Sequence, residues 1–139
     1  MIDVSKNSMK KGMKDNIDRK QSSIDDVVFH KGFPLFSFIE LNINEICNRR
    51  CVFCPRVDPK IYTNQNIHMD LAIAESIAKQ LEELNFTGIV NISGTGEPLL
   101  TKHIADIVNE FGKRGIHIEI VTNGDVLKTK RGPQLIKKL

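Results

Sequence analysis

The sequence predicts an α/β fold of parallel-stranded βα repeats, about three units of them. Three observations carry that prediction. Short apolar runs rich in β-formers alternate with helix-length amphipathic segments, and a loop of unusual composition closes each run. The chain of 139 residues is 40% hydrophobic and 27% charged, which is enough apolar material for one packed core.

The elements follow in order. Residues 1 to 31 carry seven Lys/Arg and five Asp/Glu among few large apolar residues, so they can bury little and read as a polar, flexible leader. A peripheral helix over Ile24 to Phe29 is the alternative there. LFSFIELNI, residues 35 to 43, is apolar on both faces for part of its length, as a buried strand would be. PRVDPKIYTNQNIHM, residues 55 to 69, holds two prolines and several amides and reads as a loop. Asp70 then caps a helix with Ile73, Ile77, Leu81 and Leu84 at helical spacing, Glu75 and Lys79 placed as an ion pair, and Asn85 to Gly88 as its end.

The cycle repeats twice. Ile89 to Ser93 is a strand, Gly94 to Leu100 a glycine-bearing loop with Pro98 presetting its exit, and Lys102 to Arg114 a helix. That helix aligns Ile104, Ile107, Val108 and Phe111, and Gly115 stops it. Ile116 to Thr122 is the third strand, Asn123 and Gly124 a turn, and LIKKL the start of a further helix. The closing LKTKRGPQLIKKL, with five basic residues and no acidic one, is most simply a solvated helix face.

Helical crossovers between strands make them parallel, so their carboxyl ends share one edge, where such folds build sites. The loops at that edge contain Cys47, Cys51 and Cys54, then Gly94, Gly96 and Glu97, then Thr122, Asn123 and Gly124.

All three cysteines of the chain fall within EICNRRCVFCPR, residues 45 to 56. A structural zinc site wants four ligands, usually as two separated pairs. His68, His103 or His117 would have to supply the fourth, and none has that spacing. A cubane cluster suits the trio better, because three thiolates can hold three corner irons and leave the fourth for chemistry. Arg49, Arg50 and Arg56 would offset the cluster's negative charge, or be solvated surface charges. For Tyr62 and His68, loop packing is preferred to substrate contact.

CNRRCVFC resembles the CxxxCxΦC pattern of the radical S-adenosylmethionine (radical SAM) enzymes, with Phe53 in the aromatic position. SGTGEPLL at the next strand end is similar to that family's glycine-glycine-glutamate motif, with Thr95 between Gly94 and Gly96, and VTNGDVL resembles a segment often found after the third strand. The resemblance covers about residues 36 to 139 and makes 32–139 the N-terminal part of a radical SAM core, a partial TIM-barrel-like domain.

The resemblance implies a 4Fe-4S cluster ligated by Cys47, Cys51 and Cys54. It further implies S-adenosylmethionine on the open iron and a 5′-deoxyadenosyl radical that abstracts hydrogen from substrate. Gly94 and Gly96 would admit the methionyl end of the cofactor, Glu97 would attract its ammonium or fix the loop, and Phe53 would pack near the adenine. Thr95, Thr122 and Asn123 would border cofactor or substrate. An electron donor for the cluster is implied as a partner. The CPR continuation and GTGEPLL look most like peptide-modifying or related members that carry an additional C-terminal cluster domain; the substrate itself stays open, a peptide being one candidate.

A complete eightfold barrel takes about 250 residues, so the chain is expected to be part of a longer enzyme, and its open sheet an association hazard. The other readings are a truncated, non-catalytic iron–sulfur or zinc module, and a sheet that pairs with another chain. No secretory signal and no apolar run of bilayer length is present, and the cysteine number is odd, so a cytoplasmic location is expected. A net charge of +3 with no Trp and one Tyr does not point to nucleic acid.

Overall fold

The structure, a computed structural model, describes residues 14, 17, 18 and 27–139. Two compact units divide the chain between Ser37 and Phe38. In the first, β1 (Phe29–His30) pairs antiparallel with β2 (Phe33–Pro34) across Lys31 and Gly32. Both turn residues have positive φ, 50° and 83°, as a two-residue hairpin with right-twisted strands requires. This hairpin straddles the end of the expected leader, most of which lies outside the described residues. Residues 24 to 26 of the alternative helix also lie outside them; Val27 and Val28 are irregular and Phe29 is in β1.

The second unit runs β3 (Phe38–Leu41), α1 (Leu71–Glu83), β4 (Ile89–Ile92), α2 (Ile104–Gly112), β5 (His117–Ile120) and α3 (Gly132–Ile136). The sheet order is β3-β4-β5, with both pairings parallel. This is the expected α/β arrangement of βα repeats, and the described strands form no closed barrel. Ile39, Val90 and Ile118 lie in one cross-strand row and Leu41, Ile92 and Ile120 in the next. All six belong to the core or pack against it, together with Ala74, Ala78, Leu81, Ile104, Ile107 and Phe111 from the helices. The opposite sheet face carries Phe38, Ile89 and His117, then a polar row of Glu40, Asn91 and Glu119.

Three expectations change. The first strand is shorter than residues 35 to 43 and buries one face rather than two: Phe38 and Glu40 are exposed, because only the alternate positions meet the helices. Beyond Leu41 the chain leaves the sheet and pairs antiparallel with the end of the proline-bearing loop. Met69 N donates to Ile43 O at 2.8 Å, Glu45 N to Ile67 O at 3.0 Å and Gln65 N to Glu45 O at 3.0 Å. On α1 the buried stripe is Ala74, Ala78 and Leu81, whereas Ile73 is exposed. α1 packs against α2. Lys79 faces Glu83 at 4.0 Å rather than Glu75.

The helix ends follow the sequence. Asp70 Oδ1 accepts from Ala72 N at 3.0 Å, and Phe86 N returns to Leu81 O at 2.9 Å just past the last turn of α1. α2 is shorter than residues 102 to 114, and Ile116 N closes on Phe111 O at 3.2 Å around Gly115. A 3₁₀ turn over Asp125–Lys128 follows the expected turn at Asn123 and Gly124. Among the described residues no helix is long and apolar enough to cross a membrane.

Candidate functional site

The three loops that leave the carboxyl ends of β3, β4 and β5 are stitched to one another by polar contacts, buried between the first and second loops and more exposed toward the third. From the first loop, Asn44, only 3% exposed, donates through Nδ2 to the Glu97 carbonyl at 2.8 Å and to Thr101 Oγ1 at 2.6 Å. Its Oδ1 accepts from Ile46 N at 3.2 Å, and Ile46 O accepts from Glu97 N at 2.8 Å. A β-carbon on Gly96 would collide with the Asn44 side-chain oxygen and main-chain carbonyl. The missing side chain at Gly96 therefore serves the closure of loop on loop. Gly94, at φ 111°, lies against the Asn42 side chain.

Glu97 is the hinge between the second loop and the third. Its side chain, in a residue 2% exposed, accepts from Leu99 N at 3.0 Å and Thr122 Oγ1 at 2.6 Å on one oxygen and from Asn123 N at 2.8 Å on the other. Three donors on one buried carboxylate fix both loops. Of the two roles expected for Glu97, this geometry supports fixing the loop. Pro98 sits at the first position of the 3₁₀ turn that Glu97 caps.

Cys47, Cys51 and Cys54 are free thiols of intermediate exposure in the first loop. The loop folds on itself through Cys54 N to Cys51 O at 3.0 Å, and the Arg49 amide points to Cys47 Sγ at 3.4 Å. Asn123 Nδ2 donates to Asn48 Oδ1 at 2.9 Å and lies 4.0 Å from Cys47 Sγ. Arg49 grips Asp125 through Nε at 2.7 Å and Nη2 at 2.5 Å. That hydrogen bonding holds the Asp125 carboxyl below its ordinary range and Arg49 above its own. The third loop thus reaches the cysteines through Asn123 and Asp125. Val52 and Phe53 are almost fully exposed at the tip of the cysteine loop, so Phe53 packs against no part of the described chain.

Among the described residues, no group of three or more His, Cys, Asp or Glu side chains is gathered tightly enough for a single metal ion. A tetrahedral zinc ion needs its ligands converging at about 2.0–2.3 Å. Among the described residues none of His68, His103 and His117 joins the cysteines in such a group. A cubane asks for something different: one thiolate at each of three separate irons, with amide hydrogens near the sulfurs. The three free cysteines of one loop, with the Arg49 amide near Cys47 Sγ, are donors of the kind such a cluster would use.

Glu45 and Asn64 carry no role in the sequence, and Arg56 and Tyr62 take one there that the structure alone defines. Arg56 is 3% exposed and is not a solvated charge. Glu45, Tyr62 and Asn64 are its partners, at 2.9 Å, 4.8 Å from the ring centre and 2.8 Å. A pocket of about 350 Å³ opens beside Cys47 over Arg56, Tyr62 and Asn64. Their only sequence signal is position, within the proline-bearing loop that returns to Asn44.

Residues 41–139 match the sequence model of the family described as the radical SAM superfamily. The chain is 38% identical over 100 residues to an S-adenosyl-L-methionine-dependent 2-deoxy-scyllo-inosamine dehydrogenase from Niallia circulans, covering 70% of this chain and 39% of that one. It is 30% identical over 95 residues to a GTP 3′,8-cyclase from Marinobacter nauticus, covering 67% and 28%. Among solved structures, BtrN in complex with AdoMet and 2-DOIA superposes with a TM-score of 0.64 at 33% identity, over 75% of this chain and 42% of that chain. The chain thus spans less than half the length of these relatives.

Proposed function

The chain belongs to the radical SAM superfamily, whose members use S-adenosylmethionine and a 4Fe-4S cluster. On that premise we propose that it carries the cofactor half of a radical SAM enzyme, with Cys47, Cys51 and Cys54 as the cluster ligands. The relatives share the cofactor and differ in reaction, one a dehydrogenase and another a cyclase. The reading therefore commits to hydrogen abstraction and not to a substrate. When bound, the reduced cluster and S-adenosylmethionine supply a 5′-deoxyadenosyl radical for that abstraction.

The chain's own residues perform the binding. Glu97 and Asn44 lock the glycine-bearing loop, which leaves its backbone beside the cysteine loop in one conformation. A prearranged loop lowers the ordering cost of capturing a flexible amino-acid-like ligand. Asn123 and Asp125 hold the cysteine loop against the end of β5. Exposed Phe53 supplies an apolar surface over the tip of that loop for an adenine ring to stack on. An external one-electron donor completes the requirement.

The single observation that carries the reading is the convergence of three free cysteines, the Gly94 to Glu97 loop and Thr122–Asn123 at one sheet edge. Anaerobic reconstitution should give about four irons and four sulfides per chain, and replacing all three cysteines by alanine should abolish both. Adding dithionite and S-adenosylmethionine should then release 5′-deoxyadenosine. Iron retained by the triple-alanine variant would overturn the ligand assignment. Iron bound without any 5′-deoxyadenosine would leave a binding module and remove the catalytic part.

A further inference from the structure

One guanidinium stands where the segments around the cysteines meet. The Arg56 side chain is 2% exposed. Its Nε donates to the Thr95 carbonyl at 2.6 Å, Nη1 to Asn64 Oδ1 at 2.8 Å and the Thr63 carbonyl at 3.3 Å, and Nη2 to Glu45 Oε2 at 2.9 Å. The Tyr62 ring lies over it, and the Tyr62 hydroxyl donates to the same Glu45 oxygen at 3.0 Å and sits 3.1 Å from Thr95 Oγ1. Asn64 in turn holds Cys47 by both backbone groups: Oδ1 accepts from Cys47 N at 3.0 Å and Nδ2 donates to Cys47 O at 2.9 Å. An unbroken chain of hydrogen bonds therefore runs from the glycine-bearing loop, through one cation, to the first cysteine.

Burying a cation costs several kcal/mol unless every donor is met, and an apolar residue would fill the same volume without that penalty. What an apolar residue cannot do is fix two loops at once. The guanidinium is a rigid planar fork, so an acceptor on one edge and an acceptor on the other are set at a constant separation. Here those acceptors are Thr95 O and Asn64 Oδ1.

We propose that Arg56 is a positioning residue that sets the separation of the cysteine loop and the Gly94 to Glu97 loop before any cofactor binds. The proposal rests on the reading that the first loop holds the cluster and the second takes S-adenosylmethionine, a ligand that must meet both. Without the fork each loop relaxes on its own, and the ligand meets an ordering cost that the wild-type chain has already met during folding.

The test begins on the full chain without cofactors, by amide hydrogen exchange at Cys47, whose N–H rests on Asn64, and at Glu97, whose N–H rests on Ile46. Arg56→Lys keeps the charge but loses the fork, and should accelerate both amides about tenfold or more while the α1 amides keep their protection. Asn64→Ala, which removes both bonds to Cys47, should accelerate the Cys47 amide at least as much as Arg56→Lys does. Arg114→Lys, at a paired arginine of the α2 end, should change neither. Acceleration confined to residues 56 to 64, or uniform across the chain, would overturn the proposal.

With reconstituted protein, the S-adenosylmethionine-induced change in the electron paramagnetic resonance spectrum of the reduced cluster reports ligand affinity. Arg56→Lys should keep its iron and bind the ligand about tenfold more weakly; equal affinity would sink the proposal. A wild-type chain that binds no iron would overturn the functional reading instead, while the exchange result would still decide the coupling.

Discussion

A β-carbon on Gly96 would overlap both the side-chain oxygen and the main-chain carbonyl of Asn44. Because the backbone itself is in the way, trimming Asn44 cannot make room. Gly96→Ala should therefore cost at least about 2 kcal/mol, and Asn44→Ala should not restore it, as denaturant melts of both variants and the pair would show. Glu97 makes a complementary case. Glu97→Ala strands the buried Leu99 amide and leaves the exposed Thr122 hydroxyl and half-buried Asn123 amide to water. That should cost about 1–3 kcal/mol. Glu97→Gln keeps one acceptor and should cost less, a ranking that a charge-only role for Glu97 would not produce.

The elements earn their positions through packing and caps. Phe111 on α2 is fully buried against the sheet, and Phe111→Ala should lose about 3–5 kcal/mol, the largest single effect among the helix residues. Asp70→Ala should lose about 1 kcal/mol by leaving the Ala72 amide uncapped. The end of α2 also carries a pH response. Glu110 accepts from Lys113 at 2.6 Å and from Arg114 at 2.8 Å, and these partners hold its carboxyl below the ordinary range. Arg114 reaches on to Glu82 of α1 at 3.2 Å, so the cluster joins the two helices. Since the folded carboxyl is the stronger acid, its stabilisation is complete above an unfolded pKa of about 4 and fades as pH falls through the lower folded value. Melting temperatures measured across the acid range should fall less steeply in Glu110→Gln than in the wild type.

Across the molecule, stability should be graded from the sheet outward. β4 is the only described strand with neighbours on both sides, and Val90 and Ile92 are fully buried. Its amides should be the slowest to exchange, whereas the segment from Cys47 to Asn66, with mostly exposed residues, should open first. Loading the cluster should slow exchange in that segment selectively, because a ligand stabilises what it contacts. A uniform slowing would mean that iron is held elsewhere or that the loop and sheet unfold together.

What the sequence by itself determined is the order of the elements, their parallel pairing and the edge at which Cys47, Gly94 to Glu97 and Thr122–Asn123 arrive. Those follow from periodicity and loop chemistry, which act over a few residues: Asp70 caps where it was expected, and Ile104, Ile107 and Phe111 turn inward together. The Lys31–Gly32 turn was equally local but straddled the end of the segment read as polar leader. Only the tertiary structure decided which polar groups are buried. Arg56 and Thr95 are 39 residues apart, and Asn44 and Glu97 are 53 apart. The local sequence sets Arg56 after Pro55 but says nothing of its burial; that arises when the loop of Tyr62 and Asn64 folds back and surrounds one guanidinium with acceptors, and burial of that kind depends on neighbours that no local pattern records.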